Sequence, residues 1–213
     1  MPESQVTVFY PRITPSTEAD CQAWISGWDY ITDLFRLLEY AIYSLRACKT
    51  RKAVLSSFCE RPTPATLFDA LARLKAGKPR ILLGIEHQND FQSNRCRYLA
   101  VQIICTETLV NIMALLYCQA PAGEMMKIVE TFLEDVGKIS LIMLKVSGSP
   151  LVHQLVGVGR MLYNASQQEN GRYAAEARRL IMCLANLVAS LRDHIPVAAE
   201  SGERLMQLAE GTV

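Results

Sequence analysis

NRCRYLAVQIICTETLVNIMALLY, residues 94–117, carries apolar side chains around nearly its whole circumference. A helix with no continuous wet face belongs in the middle of a packed structure rather than on its surface. Its polar members do not form a solvent stripe. At 100° per residue from Gln102, Thr106 falls at roughly 40°, Glu107 at 140°, Asn111 at 180° and Thr108 at 240°. Some of them must therefore point inward, and a buried glutamate or asparagine without partners is costly. Glu107 and Asn111, one turn apart, are the most informative polar pair in the chain. They fit either an interhelical hydrogen-bond network or the wall of a pocket, where a carboxyl with a raised pKa could move a proton.

Towards the amino terminus, Asp29 to about Lys49 reads as an amphipathic helix. Ile31, Leu34, Leu37, Leu38, Ala41, Ile42 and Leu45 share one side, and Tyr40 and Tyr43 sit at its border. Trp24 and Trp28 precede it in a short helix of their own, with Asp29 as a cap for the longer one. Arg46, Lys49, Arg51 and Lys52 suit a helix C-terminus. Met1–Ser16 is expected to be an arm, since its VTVFY run is followed by Pro11 and Pro15. Thr63 and Pro64 open a further helix with Leu67, Phe68, Leu71 and Leu74 inward, ending near Gly77. Lys78–Gln92 reads as a loop that contains Glu86 and His87.

Towards the carboxyl terminus, Cys118–Gly123 is a turn. Ala122–Val136 is an amphipathic helix with Met125, Met126, Val129, Phe132 and Leu133 inward. Gly137 interrupts it, and the almost wholly apolar Ile139–Val146 comes next. In VSGSPLVHQLVGVGRMLYNAS, residues 146–166, Ser147–Pro150 break the chain. Ser149 offers an oxygen as cap and Pro150 suits the first turn. Gly157 and Gly159 each cost roughly 1 kcal/mol relative to alanine inside a helix, a cost offset by close approach of a neighbouring helix or by room for a ligand. Tyr173–Arg192 is another core-facing helix, His194 suits its C-terminal end, and Gly202–Leu208 is a short terminal helix. The pattern predicts an all-α fold. It is a single-domain bundle of about seven to nine helices around a long central helix, formed by residues 17–213 behind the arm of residues 1–16.

The 213 residues are 50% hydrophobic and 20% charged, enough for a thick core with apolar surface left for a cavity or an interface. A formal net charge of +1 gives no general field towards nucleic acid or an acidic membrane. The seven cysteines include no CxxC pair and read as reduced, mostly structural thiols of an intracellular protein, cytoplasmic or nuclear. No uninterrupted apolar run approaches the roughly 20 residues of a bilayer span, so no membrane insertion is expected. Three scattered histidines give no metal shell, and no glycine-rich nucleotide loop or nucleophile elbow is present. No cofactor and no direct nucleic-acid binding are expected.

The stretch SGSPLVHQLVGVGRMLYN, residues 147–164, resembles the late part of the regulatory domain of fungal zinc binuclear cluster transcription factors. The resemblance extends over roughly Trp28 to His194. It implies an α-helical domain that senses small molecules or mediates control. In that family a separate amino-terminal cluster of six zinc-binding cysteines reads DNA, and this sequence does not contain it. With Met1 as the native start, the chain would be a stand-alone descendant of the sensory domain.

Two functions are consistent with these features. One is a helical small-molecule-binding or regulatory domain, with a hydrophobic small molecule, a regulator or a second copy of itself as partner. Trp28, Tyr40, Asn111, Met125 and Gly157 are its candidate pocket residues. The alternative is a cofactor-independent enzyme of fungal secondary metabolism, a dehydratase, isomerase or cyclase that orients a polyketide- or terpene-like substrate in an apolar cavity. Glu107 or His153 would then move the proton, and Arg160 or Tyr163 would stabilise developing oxygen charge.

Overall fold

The computed structural model describes residues 18–50, 64–79, 91–168 and 172–211. The expected arm, the basic residues Arg51 and Lys52, and the Glu86–His87 pair lie outside them. Among the described residues all regular structure is helical. The helices are α1 (Glu18–Thr50), α2 (Pro64–Ala76), α3 (Phe91–Cys118), α4 (Ala122–Gly137), α5 (Leu141–Gln168), α6 (Ala174–Ala189) and α7 (Val197–Glu210).

α3 is central because it is apolar on two opposite faces. Leu99, Ile103 and Val110 join Tyr30, Ile31 and Leu34 of α1 and Leu71 of α2 in one cluster, while Ala114 joins Ala41 and Leu67 in another. On the far side Val101, Cys105, Leu109 and Ile112 enter the main core, formed with α4 to α7. α3 thus packs against α1, α2, α4 and α5. α5 is a second hub, in contact with α3, α4, α6 and α7.

Two local readings of the sequence describe α5 well. Gly148 has φ 66° and ψ −158°, a break that leaves Pro150 in the first turn of the following segment. The two glycines then divide their roles. A Cβ on Gly159 would stand 2.5 Å from a methyl of Leu205, so this glycine lets α7 approach, whereas a Cβ on Gly157 would meet nothing within 4 Å.

Three expectations need correction. The Trp24–Trp28 turn is not a separate helix capped by Asp29; α1 runs unbroken for 33 residues. One glycine costs a helix only about 1 kcal/mol, and Gly27 lies on the same buried side as Tyr30, Ile31 and Leu34. α6 ends at Ala189 and tightens into turns through His194, and α7 starts at Val197 rather than Gly202. The apolar Ile139–Val146 is divided by the start of α5: Leu141, Ile142 and Val146 are exposed, with Leu144 buried between them. Finally, two helices are long and apolar enough to cross a bilayer by length and composition. Tyr98–Cys118 spans 21 residues at mean hydropathy 1.8, and Leu141–Gln167 spans 27 at 1.3. In the first, Glu107 is the only charged side chain, and 61% of the window is buried by the other helices.

Candidate functional site

The polar residues of α3 resolve into two kinds. Threonine and asparagine hydroxyl and amide groups can bond a carbonyl one turn back on the same helix, and three of them do. Thr106 donates to the Gln102 carbonyl at 2.7 Å, Thr108 to that of Ile104 at 2.9 Å, and Asn111 Nδ2 to that of Glu107 at 2.9 Å. These side chains are satisfied locally and, among the described residues, bond no other helix to α3.

Glu107 behaves differently because a carboxylate can only accept. The Tyr30 hydroxyl on α1 donates to its Oε1 at 2.6 Å, a short bond of the kind formed to an ionised acceptor. Lys78 Nζ, two residues beyond α2, reaches the same oxygen at 3.3 Å. The turn that presents Lys78 is fixed by the Gly77 and Lys78 amides, which donate to carbonyls in the last turn of α2. The Lys78 and Glu107 side chains are only 20% and 14% exposed, so the pair is partly desolvated. Burial first, and then the hydrogen bond to Glu107 and its negative charge, raise the Tyr30 phenol well above its ordinary value of 10.0. Tyr30 therefore remains a donor throughout the physiological range. Glu107 thus ties α1, the end of α2 and α3 together at one oxygen.

The other candidate residues do not enter this cluster. His153 and Arg160 are exposed on the outer side of α5, together with Asn164. Gly157 lies between them on that side, and its missing side chain leaves an open step in the surface. Tyr163 is half-buried, and its backbone carbonyl accepts a hydrogen bond from Ser166. Trp28 and Tyr40 are 42% and 44% exposed on α1, while Met125 is 2% exposed in the main core. Trp28 meets Trp24 edge to face at 5.7 Å between centroids. Gln154 places its side-chain oxygen in a buried position with no hydrogen-bond partner among the described residues. His194, beyond α6, comes within 3.5 Å of Lys145 Nζ at an exposed position.

Chemically, Glu107 holds a proton acceptor whose Oε1 is already in use, and neither His153 nor Arg160 is directed to it by a hydrogen bond or ion pair among the described residues. Cys105 is buried in the main core, and burial pushes its thiol up to about 12, which leaves it a poor nucleophile at neutral pH. Among the described residues no group of three or more histidine, cysteine, aspartate or glutamate side chains could hold a metal ion.

Tyr30 and Lys78 were not candidates in the sequence. Tyr30 carries the spacing of a core residue, and Lys78 lies 29 positions from Glu107 in what reads as a loop. The only available signal was that Glu107, the single charge in the middle of an apolar helix, needed a donor from elsewhere. No family model matches the chain, and neither a curated protein nor a solved structure shows significant similarity to it.

Proposed function

We propose that the chain is a helical regulatory domain, of the kind its 147–164 stretch resembles in fungal zinc binuclear cluster transcription factors, and that it works by binding rather than by group transfer. One observation carries this reading: Oε1 of Glu107 accepts from both Tyr30 and Lys78 in a partly buried tie between helices, while large apolar side chains of α1 stand in solvent. An acid-base catalyst needs a free proton acceptor beside a substrate space. A regulatory surface needs exposed apolar anchors that a partner can cover. A hydrophobic effector or a second regulator would act on this surface, in the cytoplasm or nucleus.

The test is deletion of the coding sequence in its native cell, with transcripts and small metabolites measured in parallel. The regulatory reading predicts a coherent shift in a defined set of transcripts before any metabolite changes. Accumulation of a single precursor with unchanged transcripts would instead support the cofactor-independent enzyme.

A further inference from the structure

α5 is two helical pieces in one element. Gly148, at φ 66° and ψ −158°, stands in a region of backbone space that is essentially closed to residues with a side chain. Further on, Pro150 has no N–H to offer the Val146 carbonyl, so the hydrogen-bond ladder does not run unbroken through this point. At the other end, Lys138–Ser140 separates the first piece from α4. Leu141–Ser147 is thus about two turns of helix with a short connector before it and a glycine break after it.

Little holds this piece to the domain. Ile142 at 67% and Val146 at 61% are the most exposed large apolar side chains among the described residues, and Leu141 is in solvent too. Ser147 is buried, but its hydroxyl donates to the Met143 carbonyl inside the same piece. Lys145 Nζ comes within 3.5 Å of His194 Nε2 in the turns after α6, yet this long contact is exposed and contributes little. What remains is Leu144, 3% exposed in the main core, with Met143 half-buried beside it. Burial of one leucine favours a closed state over an open one by a factor on the order of a hundred. The folding constant of a whole domain is on the order of a thousand or more. The piece can therefore release while the rest of the domain stays folded.

We propose that Leu141–Ser147 is a lid on the main core that swings about Gly148, with Leu144 as its catch. Closed, Leu144 fills a place in the core; open, that place faces solvent. The lid gives a compact apolar molecule an entrance to a core that Leu151, Leu155 and Leu162 otherwise keep shut, each at essentially zero exposure. It does not depend on the regulatory reading, which would use the entrance for its hydrophobic effector.

Thiol labelling of the full chain with N-ethylmaleimide, read peptide by peptide by mass spectrometry, tests the lid. Ser147→Cys puts a thiol of nearly the same size at a buried position of the lid, and Cys105, 2% exposed in the main core, is the internal reference. The lid thiol should be protected about a hundredfold relative to the urea-unfolded chain, and Cys105 about tenfold more again. Sub-denaturing urea should accelerate Cys105 steeply and the lid thiol only slightly, because opening the lid exposes little surface. Leu144→Ala, added to Ser147→Cys, should speed lid labelling about tenfold by removing the catch. Gly148→Ala should do so about tenfold by straining the closed backbone. Equal protection of the two thiols with the same urea dependence would show that the piece opens only with the whole domain and would overturn the proposal. Lid labelling indifferent to Leu144→Ala would overturn the catch, and indifference to Gly148→Ala would overturn the hinge. No transcript is read in these measurements, so failure here leaves the regulatory reading separately testable.

Discussion

The two sides of α3 are built differently. On one side α4 to α7 close around α5 so fully that Leu151, Leu155, Leu162, Leu184 and Leu205 reach essentially zero exposure. On the other, α1 and α2 form smaller clusters held in part by the shared bond at Glu107, and the outer face of α1 keeps its aromatics in water. The late side is the larger core, and among the described residues it leaves large apolar side chains exposed only at Leu141, Ile142 and Val146, in the first turns of α5. The early side combines a thin core, a polar tie and an exposed apolar face.

The sharpest way to separate the sides is to damage each. Leu155→Ala, in the late core, should cost about 3 kcal/mol by cavity formation, read as a lower urea midpoint with one cooperative transition. Glu107→Gln should cost less, about 1–2 kcal/mol, because it removes the charge facing Lys78 while Tyr30 keeps an acceptor. Its signature is local: amide hydrogen exchange should quicken in α1 and α2 and hold steady in α6 and α7. Equal acceleration everywhere would mean that Glu107 supports the whole bundle and that the division is wrong.

The glycines of α5 test the late side on a finer scale. Gly157→Ala meets open space and should stabilise by about 0.5–1 kcal/mol through helix propensity. Gly159→Ala must move the Leu205 methyl, so about 1 kcal/mol of overpacking offsets or exceeds the same gain. Differential scanning calorimetry should therefore give a higher Tm for the first and no gain or a loss for the second.

Titration separates the sides again. A phenol whose folded pKa is raised contributes stability that is complete below its unfolded value of 10.0 and is lost as the pH rises through the folded value. Wild-type stability should thus fall above about pH 10 more steeply than that of Tyr30→Phe, as measured by urea midpoints between pH 8 and 11. Parallel profiles would show that Tyr30 does not hold its proton against Glu107.

Part of the architecture was legible in the residues, though its division into two unlike sides was not. The all-round apolarity of 94–117 correctly put α3 in the middle, and the Ser147–Pro150 break lies where Gly148 turns to positive φ. The Glu107 partners were not legible, because a hydrogen bond across 77 positions leaves no trace in local spacing. Nor was the unbroken α1: Gly27 and Asp29 are punctuation in isolation, and only the burial of Tyr30 and Ile31 overrides them. The α1 face was hidden for a related reason. Tryptophans four apart are ordinary core spacing, and Trp28 differs from Trp24 only in the side of the helix that α2 and α3 happen to cover.

The central claim is that function resides on the outer face of α1 and that Glu107 is a tie. It is tested most directly by returning two variants to the deletion cell and reading the affected transcripts. Trp28→Ser/Phe35→Ser, which should leave stability within about 0.5 kcal/mol of the wild type, is predicted to reproduce the deletion. Glu107→Gln, folded at the growth temperature, is predicted to restore the wild-type profile. The reverse pattern, full function without the two aromatics and none without the carboxylate, would contradict the account.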